Sequence, residues 1–254
     1  MWTYLVLFLS LSLILAVFIR RLVIHFRLKK GVEEESKVLK KEIVEEAIPE
    51  KKQRLSGSDK DKVLTLCKRG VALVEAGKDD EAVKCFVQAL ALDNAHQETK
   101  HRLALLYFQK QLFSSAAALF KELGESTNDP VHFSHLGLAL YKQNDFPSAK
   151  DAYQRAVSMD DKRPQRFVSL AQVYRAMGQC NNAIITLKKA LELEEKNLDF
   201  LFLLADLHLE AGQLDHCAVV IGALDEVSPE DVDVKSLKKE LKKMKAAEEE
   251  VKKP

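Results

Sequence analysis

The chain has 254 residues, 47% of them apolar, so it is long enough and apolar enough to bury a core. Its 39 basic and 38 acidic side chains nearly cancel, which excludes the strong field of one sign that draws in nucleic acid. Glycine and proline are scarce, while alanine, leucine, lysine and glutamate are frequent, and this composition predicts an all-α fold.

The first 30 residues are predicted to be a membrane anchor. Residues 2–19 carry no charge, and at 1.5 Å per residue they would form a helix about 27 Å long, close to the thickness of a bilayer's hydrocarbon core. The basic residues all follow this run: Arg20, Arg21, Arg27, Lys29 and Lys30. A cleaved signal peptide would have basic residues before the run, and the positive-inside rule places the later residues in the cytoplasm. The alternative, a long apolar helix in a soluble core, leaves the one-sided basic block unexplained.

Residues 31–60 are predicted to be a charged linker. Charges of both signs dominate and no aromatic residue is present, so the segment cannot bury enough surface to fold alone. The pair Glu33 and Lys37 favours a short helix, which Pro49 and residues 56–58 would end. A thin apolar stripe along it comprises Val38, Leu39, Ile43 and Val44. Two interpretations stay open, a solvated spacer and a coiled-coil stub that binds a partner.

A repeat of about 34 residues fills residues 61–229, with four positions that recur five times. A small residue recurs at Gly70, Ala104, Gly137, Ala171 and Ala205. A second small residue follows twelve positions later at Ala82, Ala116, Ala149, Ala183 and Cys217. Turn residues lie between them at Gly77, Gln111, Asn144, Gly178 and Gly212. A large residue recurs at Phe86, Phe120, Tyr153, Leu187 and Ile221.

These four positions predict stacked pairs of antiparallel helices. The small residue on the first helix would let the partner backbone approach, and the turn residue would adopt a left-handed conformation. The large residue would fill the gap to the next hairpin. No single hairpin can bury its own apolar face, so stacking follows.

The pattern resembles the tetratricopeptide repeat, which has a small residue early in its first helix and alanine and an aromatic residue on its second. The best matches run from Gly70 to Asn94 and from Gly137 to Asp161. The resemblance implies a right-handed superhelical solenoid of about five hairpins. The units would lie near residues 63–96, 97–129, 130–163, 164–197 and 198–231. Leu123, the loose GESTNDP connection after the second unit, and Cys217 depart from the family pattern.

Residues 230–254 are predicted to be a capping helix and tail. An apolar face on this helix comprises Val234, Leu237, Leu241 and Met244, and the remaining positions are mostly lysine and glutamate. A solenoid needs such a helix to cover its last apolar face.

The resemblance also implies that the first helix of each hairpin lines a concave surface that binds a peptide or an amphipathic helix of a partner protein. By register this surface comprises Leu64, Val71, Val74, His101, Leu105, Phe108, Ser134, Leu138, Tyr141, Gln172 and Arg175, with Gln165, Val168, Phe202, Asp206 and Leu209 in the last two units. Its first three units are apolar, which suits an apolar or amphipathic segment. Such side chains could equally pack within their own hairpins.

No motif in the sequence points to catalysis, a metal or a cofactor. The cysteines Cys67, Cys85, Cys180 and Cys217 lack C-x-x-C spacing, so we expect reduced thiols. His132 and His135 share a helix face, but no H-E-x-x-H arrangement accompanies them.

The sequence therefore predicts a membrane-anchored adaptor rather than an enzyme. In layout it is similar to bacterial membrane-anchored tetratricopeptide adaptors, which favours the cytoplasmic face of a bacterial membrane. The alternative is a receptor or membrane-remodelling component on an organelle surface.

Overall fold

A computed structural model describes residues 56–251, which form a succession of eleven α-helices without a strand. The helices are α1 (Gly57–Glu75), α2 (Asp79–Leu92), α3 (Gln97–Gln109), α4 (Phe113–Thr127), α5 (Pro130–Lys142), α6 (Phe146–Met159), α7 (Pro164–Ala176), α8 (Cys180–Leu193), α9 (Leu198–Glu210), α10 (Leu214–Val227) and α11 (Val232–Val251). The predicted all-α solenoid is confirmed. The predicted anchor and nearly all of the predicted linker lie outside the described residues. Within residues 56–251, no helix has the length and apolar character that crossing a bilayer requires.

Consecutive helices pair into five hairpins, from α1 with α2 to α9 with α10, and each second helix packs on the next hairpin. The five turn residues all have positive φ, between 60° and 71°. At the second turn, Gln111 N–H donates to Phe108 O at 3.0 Å and Leu112 N–H donates to Tyr107 O at 2.8 Å. These bonds satisfy carbonyl groups that the helix end would otherwise leave unpaired. The predicted left-handed turns are confirmed in all five hairpins.

The small and large repeat residues meet within one hairpin. A Cβ placed on Gly70 would lie 2.5 Å from Cε1 of Phe86, and one on Gly137 would lie 2.7 Å from Cδ2 of Tyr153. The aromatic ring of the second helix therefore lies across the glycine of the first. The expected reason for the small residue is therefore corrected. The atoms nearest to it belong to an aromatic ring and not to the partner backbone.

A further repeat position, which the sequence analysis missed, joins each hairpin to the one before it. Leu103, Leu136, Leu170 and Leu204 occupy the same position in four successive repeats, and all four are buried. In the first hairpin this position holds Arg69, which is exposed. Leucine thus fills the contact between hairpins. Arginine makes polar the face of α1 on which no described hairpin packs.

The connection after the second hairpin is not loose, contrary to the sequence-based expectation. Helix α4 continues to Thr127, and Asn128 ends it with φ of 52°. The Asp129 carboxylate then accepts a hydrogen bond from Val131 N–H at 2.8 Å and caps α5. Leu123 is fully buried, so tertiary packing extends the helix through a polar stretch.

Helix α11 covers the last apolar face of the solenoid. Val234, Leu237 and Leu241 are buried, and Met244 packs against the same cluster. On the exposed side of the helix, Lys245 Nζ forms an ion pair with Asp215 Oδ1 at 2.9 Å. The side chains predicted to form the apolar face of the capping helix therefore do face the core.

Candidate protein-binding surface

Two rows of partly exposed apolar side chains cross the first helices of the first three hairpins. They occupy two repeat positions, each of which recurs once in every hairpin. We call them the apolar rows: Val71, Leu105 and Leu138 in one, and Val74, Phe108 and Tyr141 in the other. Each of these side chains packs partly on the core and leaves part of its area exposed. Each side chain in the apolar rows therefore belongs partly to the core and stays partly accessible to solvent.

Aromatic contacts hold two side chains of the second apolar row, Phe108 and Tyr141, in place. The rings of Phe108 and Phe113 lie 5.2 Å apart between centroids, and those of Tyr141 and Phe146 lie 5.5 Å apart. Phe113 and Phe146 each begin the second helix of their hairpin, one repeat apart. The sequence did not predict a role for these two phenylalanines, although their recurrence at one repeat position could have indicated it. The edge-on and tilted contacts restrict the orientations open to the partly exposed rings of Phe108 and Tyr141.

Several predicted surface residues are not free to meet a partner. Val168 and Leu209 are buried, so their prediction as surface residues was wrong, because they pack into the core of the last two hairpins. Ser134 donates its hydroxyl to Pro130 O at 2.9 Å, and its oxygen accepts from Arg166 Nε at 3.4 Å. Leu64, in contrast, is 48% exposed.

The fourth and fifth hairpins continue the surface with polar groups. Gln165 and Gln172 are exposed, and Phe202 is only partly buried. The Arg175 guanidinium donates to both carboxylate oxygens of Glu210, with Nε 2.9 and 3.0 Å away, and this bonding raises the pKa of Arg175. Burial raises the pKa of the nearby Asp206 carboxyl. The surface thus changes along the solenoid, from apolar in the first three hairpins to mostly polar in the last two.

Neither a metal-ligand cluster nor a disulfide is present among the described residues. Between residues 56 and 251, no group of three or more histidine, cysteine, aspartate or glutamate side chains is placed to hold a metal ion. All four cysteines are free thiols. Burial raises the pKa of Cys217 to about 11, so this thiol stays protonated and unreactive at neutral pH.

Comparison with known proteins agrees with this architecture. Residues 67–130 match the family described as tetratricopeptide repeat, and residues 142–224 match the family described as anaphase-promoting complex, cyclosome, subunit 3. The TPR repeat-containing protein YpiA of Bacillus subtilis (strain 168) is 26% identical over 154 residues, which are 60% of this chain and 36% of that protein. The match thus spans about a third of that relative.

Solved structures show the same fold at low sequence identity. MamA superposes with a TM-score of 0.63 at 20% identity, covering 66% of this chain and 93% of that one. A tetratricopeptide repeat protein from Parabacteroides merdae gives 0.64 at 14% identity, covering 73% and 74%. YrrB, described as a TPR protein with an unusual peptide-binding site, gives 0.61 at 15% identity, covering 72% and 94%. The described residues therefore share the fold of solved tetratricopeptide repeat proteins, and the predicted resemblance to the repeat is confirmed.

Proposed function

We propose that this protein is a membrane-anchored scaffold that binds a peptide or an amphipathic helix of a partner protein along the apolar rows. The observation that carries the proposal is the recurrence of apolar, partly exposed side chains at two repeat positions on three consecutive first helices. The buried part of each side chain contributes to the core, but core packing does not require the exposed part to be apolar. Solenoids of this kind use the extended surface of their stacked repeats for binding.

The apolar rows have the properties of a preformed site. Covering their exposed area would contribute about 25 cal/mol per Å² of apolar surface. The contacts of Phe108 and Tyr141 with Phe113 and Phe146 already order the rings, so little conformational entropy would be lost on binding. The peptide-binding site described for YrrB supports a peptide as the class of ligand.

A double substitution on the apolar rows tests the binding surface. We expect Leu105→Glu with Tyr141→Glu to lose the partners that the full-length tagged protein captures from detergent-solubilised membranes, because two carboxylates would have to be desolvated under the bound segment. The matched control is Ile185→Glu with Val219→Glu, on the second helices α8 and α10, where the side chains are 60% and 74% exposed. The control should retain every partner, and partner sets that are the same for both variants would contradict the proposal.

Residues 2–19 are proposed to anchor the protein in the bacterial cytoplasmic membrane, with the solenoid on the cytoplasmic side. The uncharged run and the basic block after it support this arrangement. We expect the full-length protein to stay with the membrane fraction in alkaline carbonate, and a variant without residues 2–19 to be released. Release of the full-length protein by carbonate would contradict an anchor. Co-fractionation with an organelle would instead favour the receptor or membrane-remodelling alternative.

A further inference from the structure

Three histidine rings meet between the first helices of the second and third hairpins. His101 lies on α3, and His132 and His135 lie on α5. The centroid of the His101 ring is 5.3 Å from that of His132 and 5.7 Å from that of His135. The Phe120 ring of α4 lies 4.9 Å from the His135 ring and closes the group. We call these three histidines the histidine cluster.

The histidine cluster has few hydrogen bonds to support a positive charge. His132 is buried, and its Nδ1 lies 3.0 Å from Thr127 Oγ1. The Nδ1 atoms of His101 and His135 are buried, and neither has a hydrogen-bond partner in the part of the chain that the structure describes. A protonated imidazole carries an N–H on both nitrogens, so charging either ring would bury a donor without an acceptor.

The surrounding charges only partly offset this cost. On its own helix, His101 faces Glu98 and Arg102, and the loop before α5 contributes Asp129. Burial and then the other histidines lower the pKa of His135, while Asp129 opposes the shift. Burial and then His132 likewise lower the pKa of His101, Arg102 adds to the effect, and the two carboxylates oppose it. Protonation of His101 and of His135 is therefore unfavourable in the fold that the structure shows.

We propose that the histidine cluster is a pH-sensitive joint between the second and third hairpins, closed when the rings of His101 and His135 are neutral and opened when they are protonated. Repulsion between the charged rings of His101 on α3 and His135 on α5, whose centroids lie 5.7 Å apart, and their need for water would separate α3 from α5. The two apolar rows cross this joint, because Leu105 lies on α3 and Leu138 on α5. Opening the joint would therefore break the continuity of the proposed binding surface.

The sign of the pH dependence follows from the lowered pKa values. A lowered pKa means that the open or unfolded form binds more protons than the closed form. The closed form is thus favoured fully above the ordinary histidine pKa of about 6.5, and it loses stability as the pH falls below that value.

Hydrogen–deuterium exchange of the full-length protein in detergent tests the joint. After correction for the intrinsic exchange rate, we expect amides in α3 and α5 to exchange at least tenfold faster at about pH 5.5 than at about pH 7.5. Those in α7 and α8 should not change, because the fourth hairpin carries no histidine. Unchanged protection of α3 and α5 between the two pH values would overturn the proposal.

Substitutions show whether the histidine cluster causes the response. His101→Gln with His135→Gln should abolish it, whereas His216→Gln, at an exposed position on α10, should leave it intact. His135→Phe keeps a ring beside Phe120 and should at least halve the response, which covers the case in which the double variant does not fold. A full response in His135→Phe, or in a folded double variant, would assign the pH effect to other groups.

Discussion

Phe120→Ala is expected to lower the free energy of unfolding by about 3–5 kcal/mol, the range for deleting a buried aromatic ring. Phe120 is almost fully buried, and its ring serves two hairpins. Within its own hairpin it lies 6.2 Å from the His101 ring on α3, and across the contact to the third hairpin it lies 4.9 Å from the His135 ring. The cavity would therefore weaken a hairpin and the joint beside it. Urea unfolding followed by circular dichroism measures the loss.

Ile185→Ala is the control for the Phe120 substitution. This side chain is 60% exposed on α8, and its truncation should change the free energy of unfolding by no more than about 0.5 kcal/mol. If Phe120→Ala cost as little as Ile185→Ala, the ring could not fill the contact between the second and third hairpins.

Gly137→Val is expected to lower the free energy of unfolding by about 2–3 kcal/mol, because it overpacks the third hairpin. A Cβ at this position would lie 2.7 Å from the Tyr153 ring, and valine adds two further methyl groups. The ring must shift, and it is buried between helices that leave it little room. Thermal or urea unfolding would show the change.

Gly222→Ala provides a comparison of opposite sign. Gly222 lies within α10, and nothing stands within 4 Å of a Cβ placed there. Alanine should therefore raise the free energy of unfolding by about 0.5–1 kcal/mol, since glycine is a poor helix former. Two glycines in helices would then respond in opposite directions. Equal effects at both positions would contradict the contact between Gly137 and the Tyr153 ring.

The sequence predicted the fold well because five repeats sample the same environment. A position such as that of Gly70, Ala104 and Gly137 stands out since one packing requirement recurs in every repeat. The GESTNDP connection was misjudged for the opposite reason. It occurs once, its composition is polar, and only the burial of Leu123 explains why the helix continues through it.

The candidate site was only partly accessible from sequence. Register placed the apolar rows on one helix face, but it also placed Val168 and Leu209 there, and tertiary packing buries both. The sequence placed His132 and His135 on one helix face, but it did not predict that His101 meets them, because the three histidines occupy non-equivalent repeat positions and leave no periodic signal. Contacts between non-equivalent positions of neighbouring repeats can be recognised only in the structure.

Photo-crosslinking in living cells tests the central claim most directly, namely that the apolar rows hold a partner protein. A photoreactive phenylalanine analogue would replace Tyr141 on α5 in the full-length protein, and Val219 on α10 in a separate variant. Tyr141 belongs to the apolar rows, whereas Val219 is 74% exposed outside them. We predict a discrete crosslinked partner from position 141 and none from position 219. Crosslinking from position 219 alone, or from neither position, would contradict the account.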